Sequence, residues 1–312
     1  MRSLIIGGSG FVGTCLATHL IDSGHQVCGT YRNTDRQVKQ QIPMYKLDVT
    51  NKKDVFDLLQ KIRPDVIYHL AAQSSVARSW ENSGETMDVN VKGSLHVLDA
   101  VKDLQLKSKI LLTGSGEEYG ETFSRHIPVT EEDRVAPANI YAVTKACQNM
   151  IGSIYAQAFQ MDVRMVRAFN QIGPGQSAVF VVSDFCRQAA QIEAGKKDAV
   201  IHTGNLCARR DFTDVRDVVR AYVLLIEKGQ AGETYNVGTG RCVSIGDILQ
   251  IIRNQTDREI RVEPDPLKMR PSDIPVMAAD IRKLQQTTGW EPQIGLEQTI
   301  REMLDYWRGV IK

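Results

Sequence analysis

Apolar and polar residues alternate in blocks along the first half of the chain. Short apolar runs at 4–6, 26–30, 44–49, 66–72 and 109–113 have the length and near-continuous hydrophobicity of strands buried on both faces. Between them, segments 11–22, 52–62 and 87–104 carry apolar residues at helical spacing. Thr50 stands where an N-cap is expected for the second of these helices, and Pro64 ends it. Apolar strands separated by helices argue for a parallel sheet covered on both sides. Right-handed crossovers then give a doubly wound α/β sheet of the Rossmann type. After about residue 169 the pattern loosens. A glycine-proline loop at 173–175 precedes a helix-like stretch at 180–193 and then a loop with Arg209, Arg210 and Asp211. Pro264, Pro266, Pro271 and Pro275 break up the approach to the last helices. The pattern predicts a Rossmann domain over 1–168 and a smaller α/β lobe over 169–312, with some segments returning to the first domain.

Composition narrows the function classes. Of 312 residues, 42% are apolar and 24% charged, with a net charge of +1, so nothing in the bulk electrostatics points to nucleic acid or a membrane surface. No apolar run approaches the ~18 residues of a membrane span. The opening Met-Arg-Ser-Leu-Ile-Ile-Gly lacks the form of a signal peptide. Six cysteines, at 15, 28, 147, 186, 207 and 242, are scattered without a CxxC, so neither disulfides nor zinc is expected, and a cytoplasmic location fits. Six histidines show no ligand spacing; no metal is expected, and His69, after an apolar strand, reads as a packing residue.

The first candidate chemistry lies in Gly7-Gly8-Ser9-Gly10-Phe11-Val12-Gly13, between the first strand and the first helix. Glycines there allow a tight turn, close approach of a pyrophosphate to backbone and close helix-strand packing. The helix N-terminus presents N–H groups and partial positive charge to phosphates. A dinucleotide site is expected. An NAD site would end the second strand in an acid that reads the ribose 2′-OH. Here the strand ends Gly29-Thr30-Tyr31-Arg32-Asn33, and Arg32 stands where a 2′-phosphate would lie. NADP(H) is the expected cofactor, with NAD(H) possible.

The second is Tyr141-Ala-Val-Thr-Lys145. Residues four apart on a helix share a face, so phenol and ammonium converge. A tyrosine moving protons near pH 7 needs its pKa lowered by about 3 units from about 10, roughly 4 kcal/mol. A nearby cation is the expected source. Ser115, in the polar loop after the 109–113 strand, is placed to hydrogen-bond a substrate carbonyl or the tyrosine oxygen.

Gly7xxGly10xxGly13, His69-Leu-Ala-Ala72, Ser115 before Tyr119-Gly120, and Tyr141xxxLys145 together resemble the extended short-chain dehydrogenase/reductase family over almost the whole chain. The resemblance implies Ser115 as carbonyl orienter, Tyr141 as acid/base and Lys145 as the group that lowers its pKa and holds the nicotinamide ribose. It implies cofactor contacts from Gly7, Gly10, Phe11, Val12, Gly13 and Arg32. Asp48 and Val49 would meet the adenine, and Leu70, Ala71 and Ala72 would wall the ribose and phosphates.

Within that family, Ala71-Ala-Gln-Ser-Ser-Val76, Glu117-Glu-Tyr-Gly120, Phe169-Asn-Gln-Ile-Gly-Pro-Gly-Gln-Ser177, Arg210-Asp-Phe-Thr-Asp-Val-Arg-Asp217 and Arg270-Pro-Ser-Asp273 are most similar to GDP-6-deoxy-4-keto-mannose reductases. That likeness implies a GDP-sugar substrate. Arg210 and Arg270 would grip its phosphates and Asp273 its nucleoside, while Ser74 and Asn170 would line the sugar site. Gly116 departs from the usual pattern, which has a serine there. The rival readings are another nucleotide-sugar reductase or epimerase, and a GDP-mannose 4,6-dehydratase, whose C5 base would occupy the place of Glu117. Ser115 in place of Thr, and Gly173-Pro174-Gly175-Gln176 in place of Pro-Arg-Arg-Gly, count against it. A non-catalytic NADP-binding sensor is disfavoured by the intact Tyr141 and Lys145. Family members pair two helices into a four-helix interface. Segments 87–104 and 141–159 match those helices, so a homodimer is expected.

Overall fold

The continuous apolar runs demand cover on both faces, and the computed structural model, which describes residues 1–33, 42–269 and 274–311, gathers them into one sheet. The first strands are β1 (Arg2–Ile6), β2 (Gln26–Tyr31), β3 (Met44–Lys46), β4 (Val66–His69), β5 (Lys109–Thr113) and β6 (Val163–Ala168). The later ones are β7 (Asn170–Ile172), β8 (Val200–Thr203), β9 (Arg209–Asp214), β10 (Thr234–Val237), β11 (Cys242–Ser244), β12 (Arg261–Pro264) and β13 (Val276–Met277). Seven of them form a sheet of order β10-β6-β5-β4-β1-β2-β3, every pair parallel. This is the expected doubly wound arrangement, with β10 returning from the second half to the sheet edge.

The helices in the first half are α1 (Phe11–Asp22), α2 (Lys52–Ile62), α3 (Val76–Glu81), α4 (Ser83–Met87), α5 (Gly93–Asp103) and α6 (Ile140–Phe159). In the second half they are α7 (Val181–Glu193), α8 (Val215–Lys228), α9 (Ile245–Arg253), α10 (Arg282–Thr288) and α11 (Leu296–Ile311). Because side chains alternate across a strand, β1 feeds two cores. Ile5 packs with Tyr68, Leu111, Val166 and Tyr222 on one side, while Leu4 and Ile6 pack with Leu98, Ile110 and Leu112 on the other. A third core of Phe185, Ile201, Ile248 and Ile300 holds the smaller lobe. There β9 pairs β7 and β13 in parallel and β11 antiparallel, and β8 pairs β12 separately.

Four local expectations need correction. The cap of α2 is Asn51, whose side chain accepts from Lys53 and Asp54 N–H; the Thr50 hydroxyl instead donates to Asp48. The 87–104 segment is not one α-helix. A π-helical turn, Asp88–Lys92, separates α4 from α5. Arg209, Arg210 and Asp211 begin a strand, because β11 and β13 satisfy their backbone on both sides. The strand expected at 66–72 ends at His69, and residues 70–75 form irregular backbone along the cleft. His69 is buried and shares a hydrogen bond with the Ser94 hydroxyl, and Trp290 is core, its indole N–H donated to the Asp217 carbonyl. Among the described residues no helix is long and apolar enough to cross a membrane.

Candidate active site

The carboxyl ends of β1, β4, β5 and β6 stop along one edge of the large sheet, and the smaller lobe covers it. Between them lies a cleft of about 1890 Å³. Its floor at the β1 end is the glycine turn. Gly7 has φ +93°, and a Cβ there would stand 2.8 Å from the Ala71 amide nitrogen. A Cβ on Gly13 would stand 2.4 Å from the Gly7 carbonyl oxygen. So Gly7 lets β4 approach the turn, and Gly13 lets α1 pack on it. Helix α1 begins at Gly10 with no side-chain cap, which leaves its first N–H groups to a ligand in the cleft.

The catalytic candidates converge from three elements. Ser115 follows β5 and starts a 3₁₀ segment, Gly116–Ser124. Its hydroxyl accepts from the Glu117 N–H at 3.2 Å, and the Tyr141 phenol is its neighbour in the cleft. Asn139 caps α6 by accepting from the Ala142 N–H at 2.9 Å, and its amide donates to Glu117 at 3.0 Å. One residue thus starts the helix that carries Tyr141 and Lys145 and also fixes the carboxylate opposite. The Lys145 ammonium donates to the Thr113 carbonyl at 2.6 Å and to Gln148 Oε1 at 3.1 Å.

Burial dominates the electrostatics of the pair. Burial pushes the Tyr141 phenol well above its usual range; Ser115 pulls it down, and Glu117 and Glu118 push it further up. Burial also pushes Lys145 down to about 8, opposed by Glu118. The ammonium is engaged by Thr113 and Gln148. Burial favours the neutral phenol at Tyr141. His69, below the site, is pushed down to about 3 by burial and then by Lys145.

Gly7, Gly10, Phe11, Val12, Gly13, Leu70, Ala72, Ser74, Ser115, Glu117, Tyr141, Lys145, Asn170 and Arg210 all line the one cleft. Ala71 backs the turn through its main chain. Arg32 lies at the end of β2, 46% exposed, with Nη1 3.5 Å from Glu85. Asp48 accepts from the Thr50 N–H at 2.9 Å, and the Val49 carbonyl shares a hydrogen bond with His96 Nδ1 at 2.8 Å. Arg210 is mostly buried, its Nη1 donated to the Arg209 and Ile274 carbonyls. Arg270 and Asp273 lie outside the described residues.

The family model described as GDP-mannose 4,6 dehydratase matches residues 4–303. The chain belongs to the GDP-mannose 4,6-dehydratase family. It is 30% identical to the GDP-6-deoxy-D-mannose reductase of Pseudomonas aeruginosa, covering 100% of this chain and 98% of that one. It is 27% identical to a GDP-mannose 4,6-dehydratase of Yersinia enterocolitica, covering 97% and 92%. The solved structure of RMD from Pseudomonas aeruginosa complexed with NADPH superimposes with a TM-score of 0.87 at 28% identity, covering 99% of each chain. The extended short-chain dehydrogenase/reductase resemblance and the Rossmann fold are thereby established, while reductase and dehydratase relatives stand almost equally near.

Sequence reasoning missed several groups around the cleft. Gln148 sits three residues beyond Lys145 on α6, a helical neighbour that spacing alone could have flagged. Asp184, Arg187 and Lys268 also line the cleft from the smaller lobe, as an ion-pair cluster with N–O distances of 2.6 and 2.7 Å. Lys268 lies 84 residues from Asp184, which hid the cluster.

The packing at the glycine turn gives a first test. Gly13→Ala should lower stability by about 1–3 kcal/mol, because the methyl group meets backbone that cannot rotate away. Denaturant unfolding monitored by circular dichroism measures it. A variant as stable as the parent would mean that α1 does not pack on the turn as described.

Proposed function

We propose that this chain reduces the C4 keto group of GDP-4-keto-6-deoxy-D-mannose with NADPH and yields GDP-D-rhamnose. The observation that carries the reading is that Ser115, Tyr141 and Lys145 line one cleft with the glycine turn. Reduction of a ketone needs a proton donor for the forming alkoxide, and the Tyr141 phenol can supply it there. The full-length likeness to a GDP-6-deoxy-D-mannose reductase supports the same direction.

The site fits a dinucleotide. The Gly7–Ala71 approach leaves bare backbone, α1 opens uncapped, and Arg32 stands at the β2 end. NADPH bound there supplies the hydride. Ser115 orients the carbonyl oxygen, and Tyr141 gives that oxygen its proton. Lys145, fixed by Thr113 and Gln148, keeps positive charge close to the developing alkoxide. Ser74 and Asn170 line the sugar position and Arg210 the diphosphate, with Arg270 and Asp273 as further nucleotide contacts. Asp48, Val49, Leu70, Ala71 and Ala72 flank the cofactor. In this reading residues 1–168 carry cofactor and catalytic groups, and 169–312 supply most of the nucleotide-sugar lobe.

One observation favours the rival. Glu117 is in the cleft and is fixed by Asn139, as a base for C5 would be. Product chemistry separates the two. Purified protein given NADPH and the 4-keto sugar should consume one NADPH per sugar and form a 6-deoxyhexose, and Tyr141→Phe should lose about a hundredfold or more of that rate. Turnover of GDP-mannose with catalytic NADP, abolished by Glu117→Gln, would establish the dehydratase instead.

Arg32→Asp should shift the kcat/KM preference from NADPH toward NADH by about tenfold or more, the worth of a charge-assisted hydrogen bond. An unchanged ratio would remove Arg32 from the cofactor site.

The assembly we propose is a homodimer. Val143, Met150, Ile154 and Phe159 on α6 expose 40%, 54%, 58% and 49% of their surface, and the first three share a helical stripe with Cys147. A second copy packed on this stripe would remove it from water. Sedimentation at low micromolar concentration should give twice the chain mass; a lone monomer would count against the interface.

A further inference from the structure

A buried carboxylate that does not reach the cleft lies directly behind the catalytic turn. Glu118 is fully buried. It accepts from the Ser115 main-chain N–H at 2.8 Å, from Asn149 Nδ2 at 2.9 and 3.1 Å, and from Arg167 Nε at 3.1 Å. The turn above it has no slack. A Cβ on Gly114 would lie 2.2 Å from a Glu118 oxygen and 2.2 Å from Asn149 Nδ2. Burial pushes the Glu118 carboxyl up and Arg167 pulls it down. Every neighbouring group is a donor, so the geometry fits the ionised, acceptor-only form. Asn149 turns its nitrogen to Glu118 and leaves its own oxygen without a partner.

We propose that Glu118 is a positioning residue for the reaction: its carboxylate fixes the Ser115 amide and supplies the buried counter-charge for Lys145 across the turn. Helix α6 links the two ends, since Lys145 and Asn149 stand one turn apart and Gln148 touches Lys145. Glu118 is the group that opposes the desolvation of Lys145. The other titratable groups around that ammonium are His69 from β4 and Tyr141 from α6, both neutral near pH 7. Arg167 from β6 faces Glu118, and the Asp88–Lys92 pair of the π-helical turn is exposed. No other anion balances Lys145 from within the described interior.

The assignment rests on Tyr141 and Lys145 as the reacting pair, so its first readout needs no substrate. Lys145 is followed by 13Cε-lysine NMR in the full chain, its resonance identified by loss in Lys145→Arg. Glu118→Gln should lower the Lys145 midpoint by about one pH unit, a tenfold loss in proton affinity. The alkaline limb of kcat should move the same way, with kcat down by about tenfold and KM nearly held. The double variant Glu118→Gln/Arg167→Gln leaves no unpaired guanidinium, and it should show the same shift even if the single variant does not fold. Glu118→Asp keeps the charge but retracts it from the Ser115 amide, so it should restore the midpoint while kcat stays low. An unchanged Lys145 midpoint in either folded Gln variant would overturn the proposal. Wild-type protein that titrates as described but does not reduce the keto sugar would count against the reductase reading alone.

Discussion

The parallel sheet is the constraint from which the site follows. Parallel neighbours cannot be joined by tight turns, so each strand hands the chain to a crossover that returns on a covering face. All seven strands then end on the same edge. At that edge stand the glycine turn after β1, the irregular 70–75 segment after β4, and Ser115 after β5. Helix α6 packs beside them and brings Tyr141 and Lys145. Residues more than a hundred positions apart in sequence meet because their strands are neighbours, not because any local motif brings them together. The glycines matter where main chain must touch main chain. At Gly7, Gly13 and Gly114 a methyl group would collide with an amide or a carbonyl.

Burial at that edge does electrostatic work in a direction that motif chemistry does not reveal. A YxxxK spacing invites the inference that the ammonium acidifies the phenol. In this interior both groups lose more to desolvation than they gain from each other. Tyr141 moves up and Lys145 moves down. The outcome is a neutral phenol next to a hydroxyl, with a lysine whose charge is sensitive to a single buried carboxylate.

The elements with strong periodicity were legible in the sequence. The alternation of apolar runs and helical stripes yields the sheet, and the glycine spacing marks the turn, because both signals are local and backbone-driven. Where reasoning failed, the deciding partner was remote. Asn51 rather than Thr50 caps α2 because Asp48 already engages Thr50. Arg209–Asp211 read as a loop because its pairing strands lie 30 or more residues later. The π-helical turn before α5 leaves no mark in a hydrophobicity pattern. Glu118 did leave one, since Ser115-x-x-Glu118 is a capping box, but the pattern announces a helix start and not the Arg167 and Asn149 that meet the carboxylate from β6 and α6.

Glu117 and Glu118 show how little residue type alone decides. They are identical and adjacent, and a 3₁₀ segment turns successive side chains by a third of a revolution. One therefore faces the cleft and the other the interior. The cleft-facing one is half-buried, meets an amide from the cap of α6, and belongs to whatever chemistry the substrate brings. The buried one has a far larger desolvation cost, which is tolerable only because Arg167, Asn149 and the Ser115 amide all point donors at it. Glu117, in the cleft, is left to the reaction, while Glu118 is committed to the architecture.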